Sequence, residues 1–156
     1  MAVKKRKVII IASAVLFVCI VFFGVFGNPI VLKNRYDFGQ AIKIIGSETI
    51  TLSEITPFEW DNVYSFSPYT SKQEMENIIG FQSNNITQTV SEGMVQLLFV
   101  KGDKVVCDIV GYSSNLGYSI SLWTDDEKNY CQIRRKDNIA FSVKREGDIL
   151  VLLRSE

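Results

Sequence analysis

Histidine is absent from the 156 residues. That absence removes Ser-His-Asp and Cys-His catalysis, imidazole acid–base chemistry near neutral pH, and the usual zinc and copper sites. Carboxylate chemistry and oxygen-ligated metals stay open. Cysteine is scarce, with three residues: Cys19 in an apolar run, and Cys107 and Cys131 in strand-like surroundings. Neither sign of charge is in excess, with 17 Lys and Arg against 17 Asp and Glu. No internal repeat or low-complexity tract is present, so a solenoid and a disordered chain are both disfavoured.

The charges are unevenly placed. Lys4, Lys5, Arg6 and Lys7 precede residues 8–27, an apolar run without a charge. Twenty helical residues span about 30 Å, the thickness of a bilayer core. The cations at its N-terminal end predict an N-terminus in the cytoplasm and an extracellular C-terminal domain, the topology of a single-pass cell-membrane protein. A cleaved signal peptide is the alternative, although its apolar core is usually shorter. With those four cations set aside, the rest of the chain has 13 cations and 17 carboxylates. That balance disfavours a nucleic-acid partner.

The pattern divides the chain into a cytoplasmic tail (1–7), a transmembrane helix (8–27), a juxtamembrane connector with some helix (28–46) and an extracytoplasmic α+β domain (47–156). Within the domain, Ser71-Lys72-Gln73-Glu74 is a capping box followed by the apolar stripe Met75, Ile78, Ile79 and a terminating Gly80. These predict a helix. Beyond Gly93 the apolar period is two. Segments 94–100 and 104–110 flank Gly102-Asp103, 118–123 and 129–134 flank an acidic tip, and 139–143 and 149–153 flank Glu146-Gly147. The expectation is three successive hairpins, or a six-strand meander, in an antiparallel sheet with one or two helices packed on one face. Segment 149–153 is apolar on both faces and should be a central or helix-covered strand.

The most distinctive stretch is Phe58-x-Trp60-Asp61-x-Val63-Tyr64-x-Phe66-x-Pro68-Tyr69. In a regular strand Trp60, Tyr64 and Phe66 share a face. The stretch resembles uncharacterised small membrane-anchored or lipoprotein-like envelope proteins of Gram-positive bacteria. The resemblance implies a cell-envelope protein and supplies no catalytic residue.

Trp60, Asp61, Tyr64 and Tyr69 are the candidate ligand or partner residues, weighed against aromatic core packing and a structural role for Asp61. Glu54, Glu59 and Asp61 form a carboxylate cluster, but spacing along a chain does not show the separation that an acid/base pair needs. Asp125-Asp126-Glu127 lacks the alternating ligands of a calcium loop and reads as a solvated hairpin tip. Arg134-Arg135-Lys136 reads as a solvated turn. No catalytic residue, metal site or cofactor is expected. Cys107 and Cys131 are either a disulfide or two buried thiols. The expected function is a membrane-anchored extracytoplasmic interaction or accessory protein that meets the lipid bilayer through residues 8–27 and an envelope or membrane protein through its domain. The alternatives are a histidine-free envelope enzyme using carboxylates, or an immunity or regulatory protein acting on another membrane protein.

Overall fold

The computed structural model describes residues 11–15, 17, 28–123 and 129–155. Residues 11–15 and 17 are helical; the rest of the 8–27 run lies outside the described residues. Among the described residues no helix is long and apolar enough to cross a membrane. The longest, α1 (Pro29–Lys43), has 15 residues and would reach only about 22 Å. It also carries Lys33, Arg35, Asp37 and Lys43. This overturns the expected transmembrane helix, and with it the single-pass topology and the cell-membrane placement.

Helix α1 begins where Asn28 caps it: its Oδ1 accepts the Ile30 amide at 2.9 Å, and Pro29 fills the first turn. Its buried positions are Val31, Asn34, Phe38 and Ile42, one face of a helix. Segment 28–46 therefore supplies Phe38 and Ile42 to the main core rather than serving only as a connector.

The strands that follow are β1 (Thr49–Thr51), β2 (Asn62–Phe66), β3 (Met94–Lys101), β4 (Lys104–Tyr112), β5 (Tyr118–Ser121), β6 (Tyr130–Arg134), β7 (Ala140–Glu146) and β8 (Ile149–Arg154). Helix α2 (Leu52–Ile55) follows β1, α3 (Lys72–Ile79) follows β2, and α4 (Ser113–Leu116) follows β4. The fold is α+β, with two four-stranded sheets in the orders β1-β7-β8-β5 and β4-β3-β2-β6. Every pairing is antiparallel except β5 with β8, which is parallel.

Two of the three expected hairpins form, β3–β4 around Gly102 at φ +56 and β7–β8 around Gly147. The third does not. β5 and β6 join different sheets, β5 pairing with β8 and β6 with β2. Alternation orients a strand's faces but does not select its neighbour, which is why these two segments looked like partners. β8 is central in its sheet, as expected, with Leu150 and Leu152 buried and Leu153 on its other face exposed.

The main core lies between the sheets. Val63, Leu97, Phe99, Cys107 and Ile109 from one sheet meet Tyr118, Ile120, Phe141, Leu150 and Leu152 from the other, with Phe38, Ile42 and Trp60 among them. A second core covers the opposite face of the β3 sheet, where Tyr64, Phe66, Leu98, Val100 and Val105 receive Met75 from α3 and Ile86 from the loop after it. Helices α1 and α3 thus pack on opposite faces of that sheet, not on one. Burial on both faces explains why β3 is buried from Val95 through Val100.

Candidate functional site

The four sequence-derived candidates are not brought together. Trp60 is buried in the main core, its ring edge-on to Phe99 at 5.4 Å. Tyr64 is buried in the second core and stacks on Phe66 at 6.0 Å. Burial pushes its hydroxyl above the usual tyrosine range, with a smaller contribution from Tyr130. Trp60 and Tyr64 therefore lie on opposite faces of the sheet, contrary to the shared face expected of a regular strand. The reason is local. Trp60 precedes β2, and the chain bends at Asp61, whose amide donates to Val100 O at 2.8 Å and whose carbonyl accepts from Arg135 N at 2.8 Å.

Asp61 is exposed, and its Oδ2 accepts the Gly102 amide at 2.8 Å. It joins the start of β2 to the tip of the β3–β4 hairpin. A groove of about 460 Å³ lies beside it, lined by Glu59, Asn62, Arg134, Arg135 and Lys136 among others. Its charges are largely engaged with one another: Arg135 Nη1 donates to Glu59 Oε2 at 2.7 Å, and Arg134 Nε to Asp137 Oδ2 at 3.0 Å. Arg134 holds the Asp137 carboxyl below its usual range.

Tyr69 stands at the far end of β2. It is 62% exposed and has φ +67, a left-handed backbone that a bulky side chain rarely adopts. The turn around it is held by several bonds. Ser67 N donates to Asn129 O at 2.9 Å, Thr70 Oγ1 to Ser67 O at 2.7 Å, and Tyr69 N to Thr89 Oγ1 at 3.3 Å. Beside the ring is a second groove, of about 430 Å³, walled by Ser67, Thr70, Glu74, Asn77, Ile78 and Asn129. Glu74 closes the expected capping box of α3, its Oε2 accepting Ser71 N at 3.0 Å and Ser71 Oγ at 2.7 Å. The hydroxyl and amide bonds from Ser71 hold its carboxyl below the usual range. Gly80 ends the helix in the left-handed conformation.

Sequence reasoning missed Asp108. It is 1% exposed, on the outer face of β4 opposite Leu98. Its Oδ2 accepts Thr87 N at 3.0 Å and lies 3.8 Å from Arg35 Nη2, while its Oδ1 has no hydrogen-bond partner among the described residues. Burial pushes the carboxyl up to about 6, against the opposing effects of Thr87 and Arg35. The available signal was a single acid inside the apolar run Val105-Val106-Cys107-Asp108-Ile109. β4 is also an edge strand, and α1 closes that edge: Asn34 Nδ2 donates to Val106 O at 2.9 Å, and Arg35 Nε to Asp108 O at 2.6 Å.

Cys107 and Cys131 are both buried and are not bonded to each other. They occupy β4 and β6, the opposite edges of one sheet, about 14 Å apart at ordinary strand spacing. A disulfide needs Cα atoms within about 7 Å. Burial pushes the Cys107 thiol up to about 12. Among the described residues no three acidic, cysteine or histidine side chains converge on a metal-sized site. Residues 125–127, the acidic tip, lie outside the described residues.

No protein-family model matches the chain, and neither a curated protein nor a solved structure is similar to it.

Proposed function

We propose that this protein is a non-catalytic interaction module that holds an extended segment of a partner protein in the groove beside Tyr69. The observation that carries the reading is the Tyr69 backbone. A left-handed conformation at a non-glycine residue costs of order 1 kcal/mol or more and persists only where the surroundings enforce it. Here that strain holds an aromatic ring out in solvent, where it contributes little to packing.

The wall chemistry suits protein recognition. Tyrosine supplies a large, stiff contact surface with little rotamer entropy to lose, and Ser, Thr and Asn supply adaptable hydrogen bonds. The amides of Asn77 and Asn129 are exposed and accessible to a ligand backbone. A carboxylate-based enzyme is less well supported. Among the described residues Glu74 is the one acid lining this groove, and the others near the distinctive segment are engaged: Glu54 in the cap of α2, Glu59 with Arg135, and Asp61 with Gly102.

The test is site-directed photocrosslinking in cells. A photoreactive residue at Asn77 should give a discrete adduct, and one at Lys144, on the other sheet, should not. Tyr69→Ala in the same protein should remove the Asn77 adduct while leaving the circular dichroism spectrum unchanged. An unchanged adduct in a folded Tyr69→Ala protein would overturn the proposal.

A further inference from the structure

We infer that the free edge of β6 takes an acidic, extended segment of the partner protein as an added strand. The inference deepens the reading of the Tyr69 groove by naming the partner's chemistry and a second line of contact, and it rests on that reading for the partner itself.

The register shows which backbone groups are free. Arg135 N donates to Asp61 O at one end of the β2–β6 ladder, and Ser67 N donates to Asn129 O at the other. Both pairs continue the register of Asn62 with Arg134 and Phe66 with Tyr130, so the hydrogen-bonded pairs fall on the odd-numbered residues of β6. The backbone groups of Cys131 and Ile133 therefore face β2, and those of Tyr130, Gln132 and Arg134 point away from it. β6 ends its sheet, and among the described residues the outward groups of Tyr130 and Gln132 have no backbone partner. Arg134 N is taken by Asp137 Oδ2 at 3.2 Å. The opposite edge of the same sheet, β4, is closed by Asn34 and Arg35 of α1. An unpaired strand edge is a template for another extended chain, whose main chain supplies the missing hydrogen bonds.

Each end of this edge meets a groove. Asn129, the residue before β6, is in the wall of the Tyr69 groove. Arg134, Arg135 and Lys136, at the end of β6 and just beyond it, line the groove beside Asp61. The five residues of β6 span about 17 Å, so one short extended segment reaches from one groove to the other. The charge at the far end selects its chemistry. Arg134 is paired with Asp137 and Arg135 with Glu59, whereas Lys136 is exposed and has no ion-pair partner among the described residues. The groove walls there hold three cations and two carboxylates, and the Asp61 carboxylate is turned to the Gly102 amide. A segment that carries carboxylates where it passes Lys136 matches this corner. A second copy of β6, Tyr130-Cys131-Gln132-Ile133-Arg134, brings a cation and no acid, and does not.

The tests use the full chain. Amide hydrogen exchange of the free protein should leave Tyr130 and Gln132 near their intrinsic rates and protect Cys131 and Ile133 at least about a hundred-fold. In cells, a photoreactive residue at Gln132 should give an adduct with the same protein as one at Asn77, and mass spectrometry should place the new bond in a segment rich in carboxylates. Lys136→Glu should lower that adduct at least about three-fold. Gln132→Pro removes an outward N–H and leaves the bonds to β2 in place. In protein photoreactive at Asn77 it should lower the Asn77 adduct about ten-fold. If the proline variant does not fold, the exchange rates and Lys136→Glu decide. Protected Tyr130 and Gln132 amides in the free protein, a Gln132 adduct with a second copy of the chain, or a Gln132 adduct indifferent to Lys136→Glu overturns the inference. Loss of the Asn77 adduct in Tyr69→Ala, with no adduct from Gln132, would uphold the groove and reject the added strand, leaving these cations as guards against edge pairing. A Lys136-dependent Gln132 adduct, with the Asn77 adduct unaffected by Tyr69→Ala, would uphold the added strand and move the recognition element from Tyr69 to this edge.

Discussion

The carboxylate of Asp61 accepts the amide of Gly102 at 2.8 Å, across 41 residues of chain. Gly102 sits at φ +56 in the β3–β4 turn, so the bond fixes the hairpin tip to the entry of β2. Because it needs an acceptor rather than a charge, Asp61→Asn should change stability by less than about 1 kcal/mol. Asp61→Ala should cost about 1 kcal/mol, the usual net worth of such a bond. Urea unfolding of the three proteins side by side checks this. An Asn variant as unstable as the Ala variant would mean that the charge itself matters.

Helix α3 gives a graded expectation. Ser71→Ala removes the hydroxyl half of the capping box, leaving the Ser71 backbone amide on Glu74, and should cost about 1 kcal/mol. Met75 is fully buried in the second core, so Met75→Ala should cost about 2–5 kcal/mol. Ile78 and Ile79 are only partly buried, and Ile78→Ala should cost less than Met75→Ala. Reversal of that order in thermal or urea unfolding would contradict the packing of α3 on Tyr64, Leu98 and Val100.

What could be read from the sequence was what depends on near neighbours. The α3 cap, its Gly80 stop and the β3–β4 and β7–β8 turns are each encoded within a few residues, and they form as read. The pairing of β5 with β8 depends on contacts more than 25 residues apart, and nothing in the Tyr118–Ser121 alternation carries it. The two faces of Trp60 and Tyr64 were lost for a similar reason: the bend at Asp61 is made by bonds to Val100 and Arg135, both distant in sequence. Of the candidate residues, Asp61 and Tyr69 are exposed and each lines a groove, and the one exposed aromatic among them is Tyr69. Its positive φ has no local sequence signature, since such a backbone is normally signalled by Gly or Asn.

Neither Cys107 nor Cys131 should react with a thiol reagent in the native state, because both are buried and a raised thiol is a poor nucleophile. After denaturation without reductant both should react. Recovery of reactivity only after reduction would contradict their positions at opposite edges of the β4-β3-β2-β6 sheet.

Stability should respond to pH in the unusual direction. The Asp108 carboxyl has a value of about 6 in the folded protein, against an ordinary 3.8 in the unfolded chain. Between those values the folded state binds more protons. Its contribution is fully present below about pH 4 and is lost as the pH rises through about 6, a difference of about 3 kcal/mol. Glu54, Glu74 and Asp137 are shifted downward and oppose this only below their ordinary values. The midpoint of thermal unfolding should therefore rise between pH 7 and pH 5, and Asp108→Asn should flatten that rise. A midpoint that falls over the same interval would contradict the burial of a strained carboxylate.

The most direct measurement pairs stability with partner capture in a single variant, Tyr69→Gly. Glycine adopts the left-handed backbone without strain, so the unfolding midpoint should be unchanged or higher, by up to about 1 kcal/mol in stability. Crosslinking from Asn77 should disappear, because the exposed ring is gone. A protein that keeps or gains stability and loses its partner is the expected result. A protein that loses stability by more than about 1 kcal/mol and still crosslinks would make Tyr69 a packing residue and contradict its role as the recognition element of this domain.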